Sequence, residues 1–154
     1  MHIVKAPRGI LQIDDARIIW RNFKGEPTKF NPRGGDRSFS LVIPNMEMAQ
    51  DLIKDGWNVK IREPREEGED PFIHLPVKVY FNDYGPQVHL ITNGNRVKLD
   101  EESVGMLDDI VIGKVDLDIR PFDWEVRGES GRAAYLQSIR AYQVITDRFD
   151  NDEY

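Results

Sequence analysis

The chain has 154 residues, 40% of them apolar, and no cysteine; this is the scale of one domain with a real core and excludes a disulfide framework, a thiolate metal site and a cysteine nucleophile. A formal charge of -6 at pH 7 argues against a surface that coats duplex DNA indiscriminately, while leaving room for a basic groove in an acidic shell. No apolar run approaches the ~20 residues of a membrane span, the opening MHIVKAPRGI lacks the hydrophobic stretch of a signal peptide, and a soluble cytoplasmic protein with no membrane association is expected.

Short runs rich in Val, Ile, Phe and Tyr, alternating in period two and punctuated by Gly, Pro, Asn and Asp, predict strands over 10–23, 37–43, 57–62, 72–81, 88–92, 111–124 and 133–146. Two helices are predicted: 46–54, which follows Asn45 as N-cap and ends before Gly56, and 100–107, which is short and acidic at its start. The fold class is therefore all-β with minor α. Long strands in so small a domain curl, and closure removes exposed edges, so the architecture expected is an OB-like, partly open antiparallel Greek-key barrel. A two-sheet sandwich shares the same alternation and turn spacing. The domain is drawn at 1–146, with an acidic tail at 147–154.

Along the first strand, Ile18 and Trp20 share one side while Arg17, Ile19, Arg21 and Phe23 share the other. Residues 17–37 carry six basic side chains (Arg17, Arg21, Lys24, Lys29, Arg33, Arg37) against Glu26 and Asp36, which leaves 15 basic against 25 acidic in the rest of the chain. Such segregation favours an anionic partner docking at one place. Trp20 and Phe39 are assigned to the core. Phe23 and Phe30 border a loop of Gly25, Pro27, Asn31, Pro32, Gly34 and Gly35, where large rings have less core to enter; they are the stacking candidates, their alternative role being to pin the loop to the barrel. Arg33 and Arg37 flank a Gly-Gly turn that permits close backbone approach to a phosphate.

In the strand 57–62, Trp57, Val59 and Ile61 are expected to face the core and Asn58, Lys60 and Arg62 to face outward. The strand 72–81 has a nearly pure core face of Ile73, Leu75, Val77, Val79 and Phe81. Its other face carries Phe72, His74, Lys78 and Tyr80, rings to accept bases and a cation for a phosphate, as a stacking platform requires; an ordinary solvated strand face has the same pattern. His2, His74 and His89 are scattered, and the neighbouring pairs Asp14 with Asp15 and Asp108 with Asp109 suit turns or bulges better than magnesium, since adjacent strand residues point apart. GxxxxGK[ST], GxSxG and HExxH are all missing from the chain. No catalytic residue, metal or cofactor is expected.

The chain closes on DRFDNDEY, an acidic run punctuated by rings. Solubility is one account of such a run; docking on partner proteins, or occupation of a basic groove in competition with DNA, is the other.

In the order and spacing of RNFKG (21–25), FNPRGGDRSFSLVI (30–43), LIKDGWNVK (52–60), VKVYF (77–81), LDEESVGMLDD (99–109), DIRPFDWEV (118–126) and GRAAYLQSIRAYQV (131–144), the chain resembles the bacteriophage single-stranded DNA-binding proteins with an OB-type barrel. The resemblance implies a non-enzymatic, sequence-tolerant binder that protects transient single strands during phage DNA replication or recombination, in the host cell cytoplasm. It implies DNA contacts from Arg21, Phe23, Lys29, Phe30, Arg33 and Arg37; strand geometry adds Lys60, Lys78 and Tyr80, while Trp124 stays open between groove wall and core. It also implies recruitment of phage or host replication and recombination proteins by Asp150, Asp152, Glu153 and Tyr154. Oligomeric state is left open, a homodimer included. The rival readings are a phage structural or adaptor protein and, behind it, a nuclease or nucleotide-processing enzyme.

Overall fold

In the computed structural model, residues 1–145 are described. Ten strands and one α-helix follow in the order β1 (His2–Lys5), β2 (Leu11–Asp14), β3 (Ile18–Asn22), β4 (Arg37–Val42), α1 (Met46–Lys54), β5 (Lys60–Arg62), β6 (Phe72–Val79), β7 (Gln87–Thr92), β8 (Asn95–Leu99), β9 (Ile112–Val126) and β10 (Glu129–Gln143), with 3-10 turns at Pro7–Gly9 and Val104–Asp108. The expected all-β, OB-like partly open barrel is what forms: one curled sheet in the order β1-β2-β9-β10-β6-β4-β3, with β5 on β6 and the β7–β8 hairpin on β10. Its pairings are antiparallel except two, β10 with β6 and β10 with β7. No helix among the described residues is long and apolar enough to cross a membrane.

The alternation read from the sequence sorts residues as expected along β6, where Ile73, Leu75, Val77 and Val79 are buried. They meet Leu41, Ile119, Leu136 and Ile139 in one core. Helix α1 contributes Ala49 and Leu52 to this core. It starts where Asn45 accepts a hydrogen bond from the Met48 backbone N–H at 2.8 Å, and Gly56, at φ 96°, turns the chain away after it.

The boundaries differ from expectation at identifiable places. The predicted strand 10–23 is broken between β2 and β3, because Asp15 takes a left-handed backbone (φ 51°) and its N–H turns to the Asp116 carboxylate. Strands β1 and β8 went unpredicted. Only residues 60–62 of the predicted strand 57–62 pair as strand; Ile61, opposite Ile73, stays exposed, while Trp57 is buried and bridges to Arg132. The predicted helix 100–107 is a turn around Asp100 followed by the short 3-10 helix.

Two placements reverse the assignment of rings. Phe23 is fully buried and stacks on Phe39, ring centroids 5.4 Å apart, so it cannot serve as a base-stacking residue. Its backbone N–H and that of Lys24 both donate to the Asp108 carboxylate, at 2.8 and 3.0 Å, which draws the ring inward; Asp108, expected in a turn or bulge, ends the 3-10 helix and ties down a distant segment instead. Trp20, expected in the core, is 56% exposed. Replacing Phe23 with alanine is expected to lower stability by about 3–5 kcal/mol in urea denaturation, whereas Phe30→Ala stays within about 0.5 kcal/mol of the original; small, equal effects would place Phe23 outside the core.

Candidate nucleic-acid interface

The outer face of the sheet carries two clusters of rings and cations. The first forms where β3 meets β4 and β6. The pairing runs Ile19 with Ser40 and then Asn22 with Ser38, so Trp20 and Arg21 form a bulge. Trp20 there adopts φ 53°, a left-handed conformation that costs a bulky residue about 1–3 kcal/mol, and the extra residue re-aims its side chain out of the core. The indole meets His74 edge-on at 5.0 Å and Phe72 at 5.5 Å. Phe72 and His74 stack on each other at 5.4 Å. Arg62, opposite Phe72, places its guanidinium 5.9 Å from the indole centroid, and Lys60 lies opposite His74. The His74 Nδ1 is 3.1 Å from the hydroxyl of Ser40, the one buried polar residue among the described residues.

The second cluster lies farther along β6. Tyr135 of β10 is opposite Lys78 on one side and Arg120 on the other. Both cations reach its ring, Arg120 at 4.9 Å and Lys78 at 5.9 Å from the centroid, and Phe122 packs against it at 5.6 Å. Just past the end of β6, Tyr80 is 62% exposed. With Tyr84, Arg120, Gln137 and Ser138 it lines a surface groove of about 630 Å³. Between the clusters the face is continuous along β6 through Pro76. Aromatic faces flanked by cations are the elements by which single strands are held without regard to sequence, the rings accepting bases and the cations phosphates.

The basic residues of 17–37 divide. Arg21 donates to the carbonyls of Leu107 and Ile110 at 2.6 and 3.0 Å, closing the 3-10 helix. Arg37 donates to the Phe23 carbonyl at 2.9 Å and pairs with Glu101 at 3.3 Å, and Lys24 pairs with Asp109 at 2.7 Å. Those three hold the loop against the residues around the 3-10 helix and are poorly placed for the phosphate contacts assigned to Arg21 and Arg37. Lys29, Phe30 and Arg33 sit on the exposed loop between β3 and β4; Phe30 is 89% exposed with the Lys29 ammonium 5.3 Å from its ring. Among the described residues Lys29, Arg33, Lys60, Arg62, Lys78 and Arg120 make no ion pair. The tail residues Asp150, Asp152, Glu153 and Tyr154 lie outside the described residues.

Of the residues expected to bind, the structure brings Lys60, Lys78 and Tyr80 onto the outer face with Phe72 and His74. It adds Trp20, Arg120, Phe122 and Tyr135. Arg120, Phe122 and Trp124 alternate in DIRPFDW, so the period-two pattern that singled out β6 marks β9 as well; nothing in the sequence marks the bulge at Trp20.

A family model described as "Putative phage ssDNA-binding domain" matches residues 1–152. Among solved structures the chain is similar to the single-stranded DNA-binding protein from bacteriophage Enc34 in complex with ssDNA, with 14% identity, a TM-score of 0.60, and coverage of 95% of this chain and 93% of that one. A C-terminal truncation of the Enc34 protein matches with 16% identity and a TM-score of 0.53, over 94% of this chain and 96% of that one. At such identities the likeness is one of fold. No curated protein sequence matches the chain.

His74 is held below its ordinary value near 6.5 by burial and then by Arg62 and Lys60. His89, whose Nδ1 accepts from Arg96 at 3.2 Å, is lowered by burial and then by Arg96, Arg140 and Lys98. The unfolded chain therefore binds more protons than the folded one as pH drops through about 6.5, so stability falls with acidification in that range. Urea midpoints measured between about pH 7.5 and 5.5 should decline for the original chain and decline less for the double variant His74→Gln, His89→Gln; identical slopes would show that neither imidazole carries the effect.

Proposed function

Because the chain belongs to the phage ssDNA-binding domain family, we propose that it binds single-stranded DNA irrespective of base sequence and works as a binding protein rather than an enzyme. The observation that carries this reading is the pair of ring-and-cation clusters on one continuous face, Trp20, Phe72 and His74 with Arg62 at one end and Tyr135 with Lys78 and Arg120 at the other. Every base has a π-face, so a platform of rings accepts any of them, whereas sequence readout needs directed donors and acceptors. The exposed loop with Lys29, Phe30 and Arg33 borders this face and supplies further contacts to a passing strand.

In the phage cycle the same activity protects transient single strands during replication or recombination in the host cytoplasm. Residues 1–146 form the binding domain, and the acidic tail at 147–154 recruits replication or recombination proteins.

A labelled oligonucleotide titrated at about 50 and about 200 mM salt tests the reading. If Lys60, Arg62, Lys78 and Arg120 each neutralise a phosphate, the log-log slope is about -3. Lys78→Ala should make it shallower by about 0.7. Trp20→Ala should instead cost about 1–3 kcal/mol of affinity at an unchanged slope. A chain that stays unbound at low salt is not a single-strand binder, and one that also self-assembles stably fits the structural or adaptor role instead.

A further inference from the structure

Beyond the barrel, β9 and β10 continue as a two-stranded arm, closed by Arg127 and Gly128 with φ of 52° and 81°, the two positive values of a type I′ turn. Strand alternation puts Arg120, Phe122, Trp124 and Val126 on one face of it. Phe122, Trp124 and Val126 remain 50%, 38% and 59% exposed. Three successive large apolar residues on one exposed face are more than solubility tolerates without a use.

The seat of Trp124 is specific. It lies opposite Gly131 in the β9–β10 register, and a Cβ on Gly131 would fall 2.7 Å from the indole Cζ2 and 2.9 Å from Cε2. The ring thus lies flat on the β10 backbone, in space that only glycine leaves, with its far side turned outward. The arm is also braced at its root. The Arg132 backbone donates to the Gly56 carbonyl and accepts from the Asn58 N–H, at 3.0 and 3.2 Å, and its guanidinium covers the buried Trp57 at 5.4 Å. The acidic residues Asp123 and Glu125 occupy the alternate positions of β9 and face the other way, Asp123 being tied to Arg132 at 2.7 Å.

Resting on the reading above, we infer that this arm extends the single-strand site: bases leaving Tyr135 stack on Phe122 and then on Trp124, with Arg120 at the root and Arg127 at the tip meeting the phosphates. Continuity selects the occupant, because Phe122 already packs against Tyr135, the ring that Lys78 and Arg120 flank. Charge agrees at the root, where Arg120 and Lys78 flank Tyr135; Asp123 and Glu125 are turned to the back, and Glu129, opposite Val126 at the tip, is the arm's carboxylate on the ring face. From the Tyr135 row to Trp124 the arm adds ~13 Å, so its contacts belong to longer strands only. A braced arm with a seated ring loses little freedom on binding, which is where preorganisation helps affinity.

The test uses thymidine oligonucleotides of increasing length with the full chain. Trp124→Ala should bind the shortest strands as the original does and lose roughly tenfold in affinity for longer ones. A second readout needs no loss of packing: in Trp20→Phe the accessible indole is Trp124, since Trp57 is only 3% exposed. Its fluorescence should be quenched by long strands and not by short ones, and the quenching should vanish in Trp20→Phe, Trp124→Phe while labelled-strand anisotropy still reports binding. Unquenched Trp20→Phe at saturation, or Trp124→Ala with undiminished affinity at every length, overturns the arm's role and leaves the barrel site standing. So does a dimer that Trp124→Ala splits without changing DNA affinity, which would assign the ring face to a second copy. Failure of the unaltered chain to bind any strand overturns both.

Discussion

Strand β10 has two edges to satisfy over fifteen residues, and the way the second edge is shared decides the shape of the site. Along one edge it pairs with β9 from end to end. Along the other it runs parallel first to β6, at Ala134 and Tyr135, and then to β7, from Ser138 to Tyr142. Buried backbone groups need partners, so where β6 leaves, β7 must take over, and the chain joining them has to exit the sheet at that point. That connection carries Tyr80 and Tyr84, and the bulge between Leu136 and Ser138 lies at the same place. The groove beside Arg120 is the consequence of a hand-over between two strands on one edge.

A second constraint is the loop after β3. Three cations on it and at the strand ends flanking it are committed to holding structure: Arg21 to carbonyls near the 3-10 helix, Arg37 to Phe23 and Glu101, Lys24 to Asp109. Desolvated or paired charges of this kind fix geometry and offer little to an outside anion. Lys60, Arg62, Lys78 and Arg120 on strands β5, β6 and β9, with Lys29 and Arg33 on the loop, make no ion pair among the described residues. Strain points the same way, because a tryptophan held at positive φ within a bulge persists only where surrounding structure enforces it, and here it completes a cluster with Phe72 and His74.

Helix α1 was legible to the residue, since Asn45, the apolar spacing and Gly56 are local signals that the structure uses locally. The faces of β6 were legible for the same reason. Strand β8 follows Asn93 and Gly94, both at positive φ, a strong hairpin signal; its exposed, polar sequence Asn95-Arg96-Val97-Lys98 hid it, because an edge strand need not alternate. Arg120 and Phe122 were readable from the alternation of β9 and went unclaimed.

The sequence by itself determined an all-β fold and an outer face bearing Lys60, Lys78 and Tyr80, because strand periodicity and charge patterning are properties of neighbouring residues; the family was carried by the order and spacing of its motifs. Only the tertiary structure decided which ring of Trp20 and Phe23 is buried and which arginines remain available. Those outcomes depend on partners far along the chain: the Asp108 carboxylate that draws in Phe23 lies 85 residues away, and the Leu107 carbonyl that engages Arg21 lies 86 away. Burial and hydrogen bonding at that separation exist only once the fold has brought the two segments together.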